Sequence, residues 1–544
     1  MNDTETLYWG ETHHNTFQHA DSQRSLTDIL NSASEYLDFY SGAYYTSEMT
    51  RLPLNRAPAD PAGQKLLGHP AEMLESRSSE LQGVFFEKVK ERAQIEREWA
   101  EVESATKENH IPNKFVTFPG YEWQGDGRWG DHNVIFKSEG ENVYTPNTLP
   151  ELYANLRKSD ALAIPHHTAY VPGKRAPIWR TCDSTISPFA EIFSIHGCSE
   201  SDEEWIGLRQ NSHMGPGVGG STYEDALRLG LHIGAIASTD NWGDMPGSWG
   251  DGLMGCWAGD LTRDSLWSAF KSRRVYGVTG DRIRLWFTAN DAPMGSILEN
   301  AISRRLSIEV VGCDAIDRIE VLRNNQVIDT YNHQGTWAIP AGTGKSKYKL
   351  RIEAGWGPRS GEIPIAEKTW NCVLSLKNGK ITGWEPCWIA PGHTPPEVAV
   401  NSAKFRLISN QANVGKRWQG GMLFEIEGNA TDTITLAVNG QSITESIEEF
   451  ANRSRVLSFE DESGQILSEA TSVGASGFPR DDTVFLYAFK VKIHKCIPAA
   501  GYSASFSLTD TEKFRKGIHY RVRVLQRNGQ SAWSSPIWFN PVST

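Results

Sequence analysis

The sequence predicts an α/β barrel half followed by an all-β half, and three observations predict it. Short apolar strands alternate with helical stretches as far as Gly280. Beyond Gly280 that rhythm gives way to strands that mix apolar and polar residues between turn signals. Histidines and carboxylates also recur just after apolar runs that end in a turn. A β/α enzyme gathers its catalytic residues there, from the carboxyl ends of different strands.

Taken in order, Leu7–Gly10 reads as a short strand and Thr12–Asp21 as a polar, histidine-rich loop. Leu26, Ile29, Leu30, Ala33 and Leu37 follow a helical period with Ser25 as N-cap. Leu37–Ala43 is a second strand. Gln82–Asn109 is charged and helix-favouring, with Val84, Phe85, Val89 and Ala93 as its inner face. Strands Phe115–Phe118 and His132–Phe136 flank a glycine-rich turn, Gln124–Gly130. Then come a helix near Leu149–Ser159, strands Ala161–Ile164 and Ala190–Ile195, a helix Thr222–Leu229, a strand His232–Ala237, a helix Thr262–Ser272 and a strand Val275–Val278. Spacing of this kind predicts parallel strands with right-handed crossovers, about seven units closing into a barrel.

Past residue 285, Leu306–Val311, Ile316–Leu322, Val327–Tyr331 and Tyr348–Ala354 predict antiparallel strands of a sandwich, with Asn324-Asn325 as a turn. Trp384–Pro396 reads as a linker or packed loop. Strands resume at Met422–Ile426, Thr433–Val438, Thr483–Lys492 and Tyr520–Leu525 and continue to Trp538. The expected division is 1–285 and 286–544, with a further break near 384–400. Whether the tail completes the same sandwich or builds another is left open.

At 544 residues the chain exceeds one ordinary core. A net charge of −12 argues against a nucleic-acid partner, which needs a basic surface. Seven dispersed cysteines without a CxxC pair predict reduced thiols and a cytoplasmic protein. No apolar run approaches the roughly 20 residues that cross a bilayer, so no membrane partner is expected. A homo-oligomer is compatible with all of this. The nineteen tryptophans are read as packed indoles rather than a carbohydrate platform.

The strand-end residues that carry chemistry are His13, Glu122, His132, His166, His167, Glu191, His196 and Asp240. Imidazole with carboxylate suits Zn, Mn or Fe. Glu122, between Tyr121 and Trp123, would be a costly unpaired carboxylate without a cation. Of the adjacent pair, His166 is better placed than His167, being nearer its strand. Glu191 reads equally as a ligand or as the partner that orients a ligating histidine. Asp240 could instead be a turn residue.

Several of these residues sit in motifs that resemble the PHP (polymerase and histidinol phosphatase) superfamily, which usually reads Asp-Leu-His-x-His-Thr after its first strand. The matching segments are Leu7-Tyr8-Trp9-Gly10-Glu11-Thr12-His13-His14-Asn15-Thr16, Phe118-Pro119-Gly120-Tyr121-Glu122-Trp123, Asp131-His132-Asn133-Val134 and Ile164-Pro165-His166-His167. Glu191-Ile192-Phe193-Ser194-Ile195-His196-Gly197-Cys198, Ser238-Thr239-Asp240-Asn241 and Thr279-Gly280-Asp281-Arg282-Ile283 complete the set. The likeness is nearest to the branch known as DUF3604 and covers about the first 285 residues. It implies a distorted seven-strand (β/α)7 barrel and a metal-dependent hydrolase acting on a small, anionic phosphoester. His13 and Asp240 would serve one metal, Glu122 would bridge, and His132 with His166 or His167 would complete a second.

Departures from the pattern limit the metal count. Asn15 stands where the family has a second histidine, Ala43-Tyr44-Tyr45 replaces Thr-Asp-His, and Asp240-Asn241-Trp242 replaces Asp-x-His. Tyr45 and Trp242 fall at positions that serve a third metal, so two divalent ions at most are expected, as Mn2+, Zn2+ or Fe2+. Asn15 remains a weak oxygen ligand. Arg282 would bind an anionic group or anchor the last strand, and Tyr44 or Tyr45 would donate to the leaving oxygen. The alternatives are hydrolysis of a carboxylic ester, lactone or amide at the same centre, and a degenerate binding module that has lost its ligands. Oxidative chemistry near Tyr44 is a third.

Overall fold

The computed structural model describes residues 5–16, 25–53, 83–203, 216–241, 245–299, 301–335, 337, 344–357, 367–388, 392–409, 419–462, 485, 488–513 and 517–540. Among the described residues its first half holds thirteen strands: β1 (Thr6–Thr16), β2 (Phe39–Tyr45), β3 (Ser47–Pro53), β4 (Gly83–Val89), β5 (Val116–Phe118), β6 (Gly120–Trp123), β7 (His132–Phe136), β8 (Ala161–Pro165), β9 (Phe189–Ser194), β10 (Gly197–Cys198), β11 (Gly234–Ala237), β12 (Leu253–Ala258) and β13 (Val275–Val278). Between them lie helices α1 (Leu26–Ser34), α2 (Arg92–Glu108), α3 (Leu149–Leu156), α4 (Tyr223–Arg228) and α5 (Arg263–Lys271).

Local chemistry explains the helices. Ser25 caps α1 by accepting the Asp28 N–H at 3.1 Å, and Asp28 accepts the Ser25 N–H in return at 3.2 Å. The apolar period then buries Ile29, Leu30 and Ala33. Each such aliphatic side chain removed from water contributes about 1.5–3 kcal/mol. α2 differs from the expected long helix. Gly83–Val89 is instead a strand, paired antiparallel to β3 in the register Ser47↔Val89. Its Gly-Val-Phe-Phe run fits a pleated surface, and a partner distant in sequence overrides the helical charge pattern that follows. The buried face of α2 is accordingly Ile95, Trp99, Val102 and Ala105, while Ala93 is exposed.

The fold is mixed α/β and strand-rich, and the expected closed ring of parallel β/α units is not what the hydrogen bonds draw. The ladder runs β13-β12-β1-β2-β6-β7-β8, while β10-β9-β11 form a sheet of their own. Parallel pairing holds for β1/β2, β2/β6 and β9/β11, but β1/β12, β12/β13, β6/β7 and β7/β8 are antiparallel. The glycine-rich turn between β6 and β7 is too short for a crossover, so those strands must reverse. β6 and β12 are strands that periodicity did not predict.

Beyond β13 two sandwiches appear, and the tail completes the first. Strands Arg284–Ala289, Arg304–Val311 and Ser503–Asp510 form one layer. Their Phe287, Leu306 and Ile308 share a core with Ile319 and Val321 and with Val522, Val524 and Phe539 from the tail. Strand Ser531–Ser534 pairs directly with β13, so the sheet of the first half continues across residue 285 into the chain's last strands. The second sandwich, between residues 346 and 498, packs a six-stranded sheet on a five-stranded one around Leu350, Ile352, Trp370, Leu374, Phe405, Phe424 and Leu436. Of Trp384–Pro396, expected as a linker or packed loop, Trp384–Cys387 instead ends strand Lys380–Cys387, residues 389–391 lie outside the described set, and Trp388 stacks on His393 at 5.5 Å between ring centroids. Of the strand expected at Thr483–Lys492, Phe489–Ile493 is formed, and residues 483, 484, 486 and 487 lie outside the described set. All seven cysteines carry free thiols. Among the described residues no helix is long and apolar enough to cross a membrane.

Candidate metal centre

β1 is longer than its apolar run suggested and buries every residue from Glu11 to Thr16. Its ladder to β2 shifts register between Glu11 and His14, and His13 sits in that irregularity. Bulges of this kind re-aim a side chain. The His13 carbonyl accepts the Asp240 N–H at 2.8 Å, which ties β1 to the end of β11. Asp240 and His167 both hold left-handed backbone, φ 49° and 34°. Non-glycine residues rarely adopt it, and the cost persists only where the surroundings enforce it.

The His13 ring is the hub. Its Nδ1 lies 2.9 Å from Glu191 Oε2, and its Nε2 lies 3.2 Å from Asp240 Oδ1 and 3.6 Å from Glu122 Oε2. His166 Nε2 stands 3.6 Å from the other Glu122 oxygen, and His196 Nε2 3.3 Å from Asp240 Oδ2. A second group adjoins the first. His167 Nε2 is 3.4 Å from Asp131 Oδ2, and Arg175 donates to that same oxygen from Nε at 2.9 Å and Nη2 at 2.6 Å. Ligand atoms of His13, His166 and Asp240 lie within 4.8 Å of one another, as do those of Asp131, His166 and His167. His166 belongs to both groups.

All of these histidine and carboxylate side chains are buried, and several of their polar atoms have no hydrogen bond. Among the described residues these include His13 Nε2, Glu122 Oε2, Asp131 Oδ1, His166 Nδ1, His167 Nδ1, Glu191 Oε1 and Asp240 Oδ2. Buried polar atoms are otherwise nearly always paired. Unpaired lone pairs of nitrogen and oxygen converging from several strands fit a divalent cation. The titration behaviour agrees. Burial raises Glu191 above its ordinary range and Asp240 and Asp131 with it, against the pull of neighbouring cations. Burial lowers His166 to about 3. Burial would lower His13 too, but Asp240 and Glu191 outweigh it and hold the ring well above its usual value. Burial would raise Glu122 as well, but the adjoining His13 and His166 rings outweigh it and hold its carboxyl well below its usual value.

The expected residues divide clearly. His13, Glu122, His166, His167, Glu191, His196 and Asp240 come together, and Asn15 reaches Asp240 from its Nδ2 at 3.4 Å. Both members of the His166-His167 pair face carboxylates. His132 does not join them. In the β6/β7 register Glu122 pairs with Asn133, and His132 pairs with Trp123, so strand alternation puts His132 on the opposite face from Glu122. There it binds the Gly130 carbonyl at 2.9 Å and lies between Trp123 and Tyr153. Tyr44 also turns away and donates to Glu98 of α2 at 2.7 Å. Tyr45 meets the centre indirectly. Gln124 Nε2 donates to the Tyr45 hydroxyl at 2.7 Å and to Glu122 Oε1 at 3.0 Å. Arg282 is engaged by Glu385 at 3.4 Å and by the Tyr36 carbonyl, the anchoring role rather than the anion-binding one. Trp242 lies outside the described residues.

Three residues went unassigned in the sequence. Asp131 was visible beside His132 but carried no role. Asn133 occupies the face expected of His132, and neither side-chain atom has a hydrogen bond. Glu11 is pushed up to about 8 by burial and accepts the Thr239 N–H at 2.9 Å and the Gly247 N–H, fixing the loop after β11. A carboxylate inside a strand, as Trp9-Gly10-Glu11 presents it, was the available signal.

An uncharacterized protein of Chlamydia pneumoniae is 23% identical over 267 residues, 43% of this chain and 40% of that protein. One from Chlamydia trachomatis serovar D is 28% identical over 202 residues, 34% of this chain and 32% of that protein. These matches span about a third to two-fifths of the relatives' length. A solved structure from Bacteroides vulgatus, described as a two-domain protein containing a predicted PHP-like metal-dependent phosphoesterase, aligns with a TM-score of 0.29 at 10% identity. That alignment covers 59% of this chain and 80% of the other. Residues 188–305, the stretch that supplies Glu191, His196 and Asp240, match the family described as a protein of unknown function, DUF3604.

Proposed function

We propose that this chain is a metal-dependent hydrolase that acts with a metal-activated water on a small phosphoester. One observation carries the reading: His13, His166 and Asp240 present ligand atoms within 4.8 Å of one another, beside Glu122, with unpaired buried atoms facing inward. The second group, Asp131, His166 and His167, shares His166, so the residues suit two ions at most. Divalent ions held there would supply Lewis acidity toward a phosphoryl oxygen and lower the pKa of water.

The chain's own groups have separable tasks. Ionised Glu191 accepts only, so the His13 Nδ1 keeps its proton, and Nε2, beside Asp240 and Glu122, is the ring atom that would ligate a cation in place of its own proton. Glu122 has one oxygen toward His13 and the other toward His166, which suits a bridging carboxylate. Arg175 fixes Asp131, and its side chain remains 30% exposed, so it would be the cationic group that orients an anionic substrate at the cluster.

The test reconstitutes the full chain with Mn2+ or Zn2+. Bound metal is measured by mass spectrometry, and turnover of p-nitrophenyl phosphate and bis-p-nitrophenyl phosphate is compared with p-nitrophenyl acetate. One to two equivalents of metal and metal-dependent phosphate ester cleavage are expected. Turnover of the acetate alone would move the reaction to acyl substrates, and less than one equivalent of metal would make the centre a degenerate binding site.

A further inference from the structure

A cavity of about 530 Å³ lies where the second sandwich meets the edge of the large sheet, lined by residues that share nothing with the histidine cluster. Its place follows from topology. β12 runs antiparallel to β1 and β13 antiparallel to β12, so β1 and β13 end at the same edge. Asp281 follows β13, Trp249 belongs to the loop after β11, and Arg351 comes from strand Ser346–Trp356 of the sandwich. Arg351 Nη2 donates to both Asp281 oxygens at 2.7 and 2.8 Å, and Trp249 Nε1 donates to Asp281 at 2.7 Å. That buried knot forms one wall.

The remaining walls carry a cationic surplus. Asp314 is taken by Arg527 at 3.1 Å and Glu353 by His494 at 3.0 Å. Among the described residues Lys492 and Lys495 have no ion pair, and Lys492 stands 5.7 Å from the Trp356 ring centre. Arg351 is 3% exposed, and its Nε has no hydrogen bond. A chain with net charge −12 thus places two lysines outside any close ion pair, and one guanidinium N–H without a hydrogen bond, in one concavity beside two indoles, Trp249 and Trp356. The volume falls among those of small-ligand sites, about 300–1,000 Å³.

We infer that this cavity binds a small ring compound bearing a phosphate or carboxylate. The anionic group meets Lys492, Lys495 and the Arg351 Nε–H, and the ring lies against indole. The inference does not depend on the metal centre, because the two residue sets are disjoint.

The experiment titrates the full chain with glucose 6-phosphate, glucuronate and AMP, with glucose as the neutral control, and follows tryptophan fluorescence. It is run after chelator treatment and again after Mn2+ loading. Saturable quenching by at least one anion and none by glucose is expected in both states. The Lys492→Glu/Lys495→Glu double variant should bind at least tenfold more weakly while holding as much metal as the parent, which shows it is folded. No saturable quenching, equal binding of glucose, binding only after Mn2+ loading, or an unchanged Kd in the double variant would each overturn the inference. Binding confined to the loaded protein would place the anion at the metal centre instead.

Discussion

Three carboxylates, Glu191, Asp240 and Glu122, surround the His13 ring. Glu191 holds Nδ1 at 2.9 Å, and Asp240 stands 3.2 Å from Nε2. Replacing Asp240 or Glu122 by its amide removes charge while keeping shape, so Asp240→Asn and Glu122→Gln should each lose at least half of the bound metal, measured by mass spectrometry. Glu191→Gln leaves the ligand atoms in place but loosens the ring's orientation. Metal affinity should then fall about 10–100-fold, read by chelator competition. His132→Phe separates the structure from the sequence pattern. Because His132 faces Trp123 and Tyr153, metal content should stay at the parent level. Its loss would return His132 to the ligand set. The sequence showed which residue types gather here but not which of two adjacent ones points inward. A one-residue slip in pairing exchanges His132 and Asn133, and the partner strand alone sets that register.

Between elements, close approach of backbones decides what is tolerated. At Gly277 of β13 an added Cβ would stand 2.8 Å from the Ala237 nitrogen and the Ile236 carbonyl carbon of β11, where the separate three-stranded sheet meets the large one. Neither atom can yield without moving a strand. Gly277→Ala should therefore cost about 1–3 kcal/mol, read as a lower denaturant midpoint with an unchanged slope. The capped helix α1 was legible beforehand, because Ser25, Asp28 and the apolar period act locally. β3, β4 and β12 were not. Each is a strand only because a remote segment supplies its hydrogen bonds.

Over the whole molecule, the second sandwich is fastened to the first half through the buried Asp281–Arg351 pair, 2% and 3% exposed. Asp281→Ala strands a buried guanidinium and should destabilise the chain by about 3–5 kcal/mol in urea unfolding. Acid should also act globally through two buried histidines. Burial depresses His393 to about 3 and His519 to about 4. The unfolded chain takes up these protons near pH 6.5, while the folded one does not until far lower. Their contribution to stability is therefore complete above pH 6.5 and shrinks as pH falls toward 4. His393→Phe should flatten that decline in thermal melts recorded between pH 7 and 4. An unchanged slope would assign the acid sensitivity elsewhere. By itself the sequence determined the change of architecture after Gly280, the capped helix and the kinds of ligand to be gathered, since composition, periodicity and capping are local properties. Only the tertiary structure decided that the tail returns to pair with β13, that the main ladder is mostly antiparallel, and that His132 stays out of the cluster that His13 centres. Those outcomes depend on strand order and register, which hydrogen bonds between distant segments fix and local pattern does not encode.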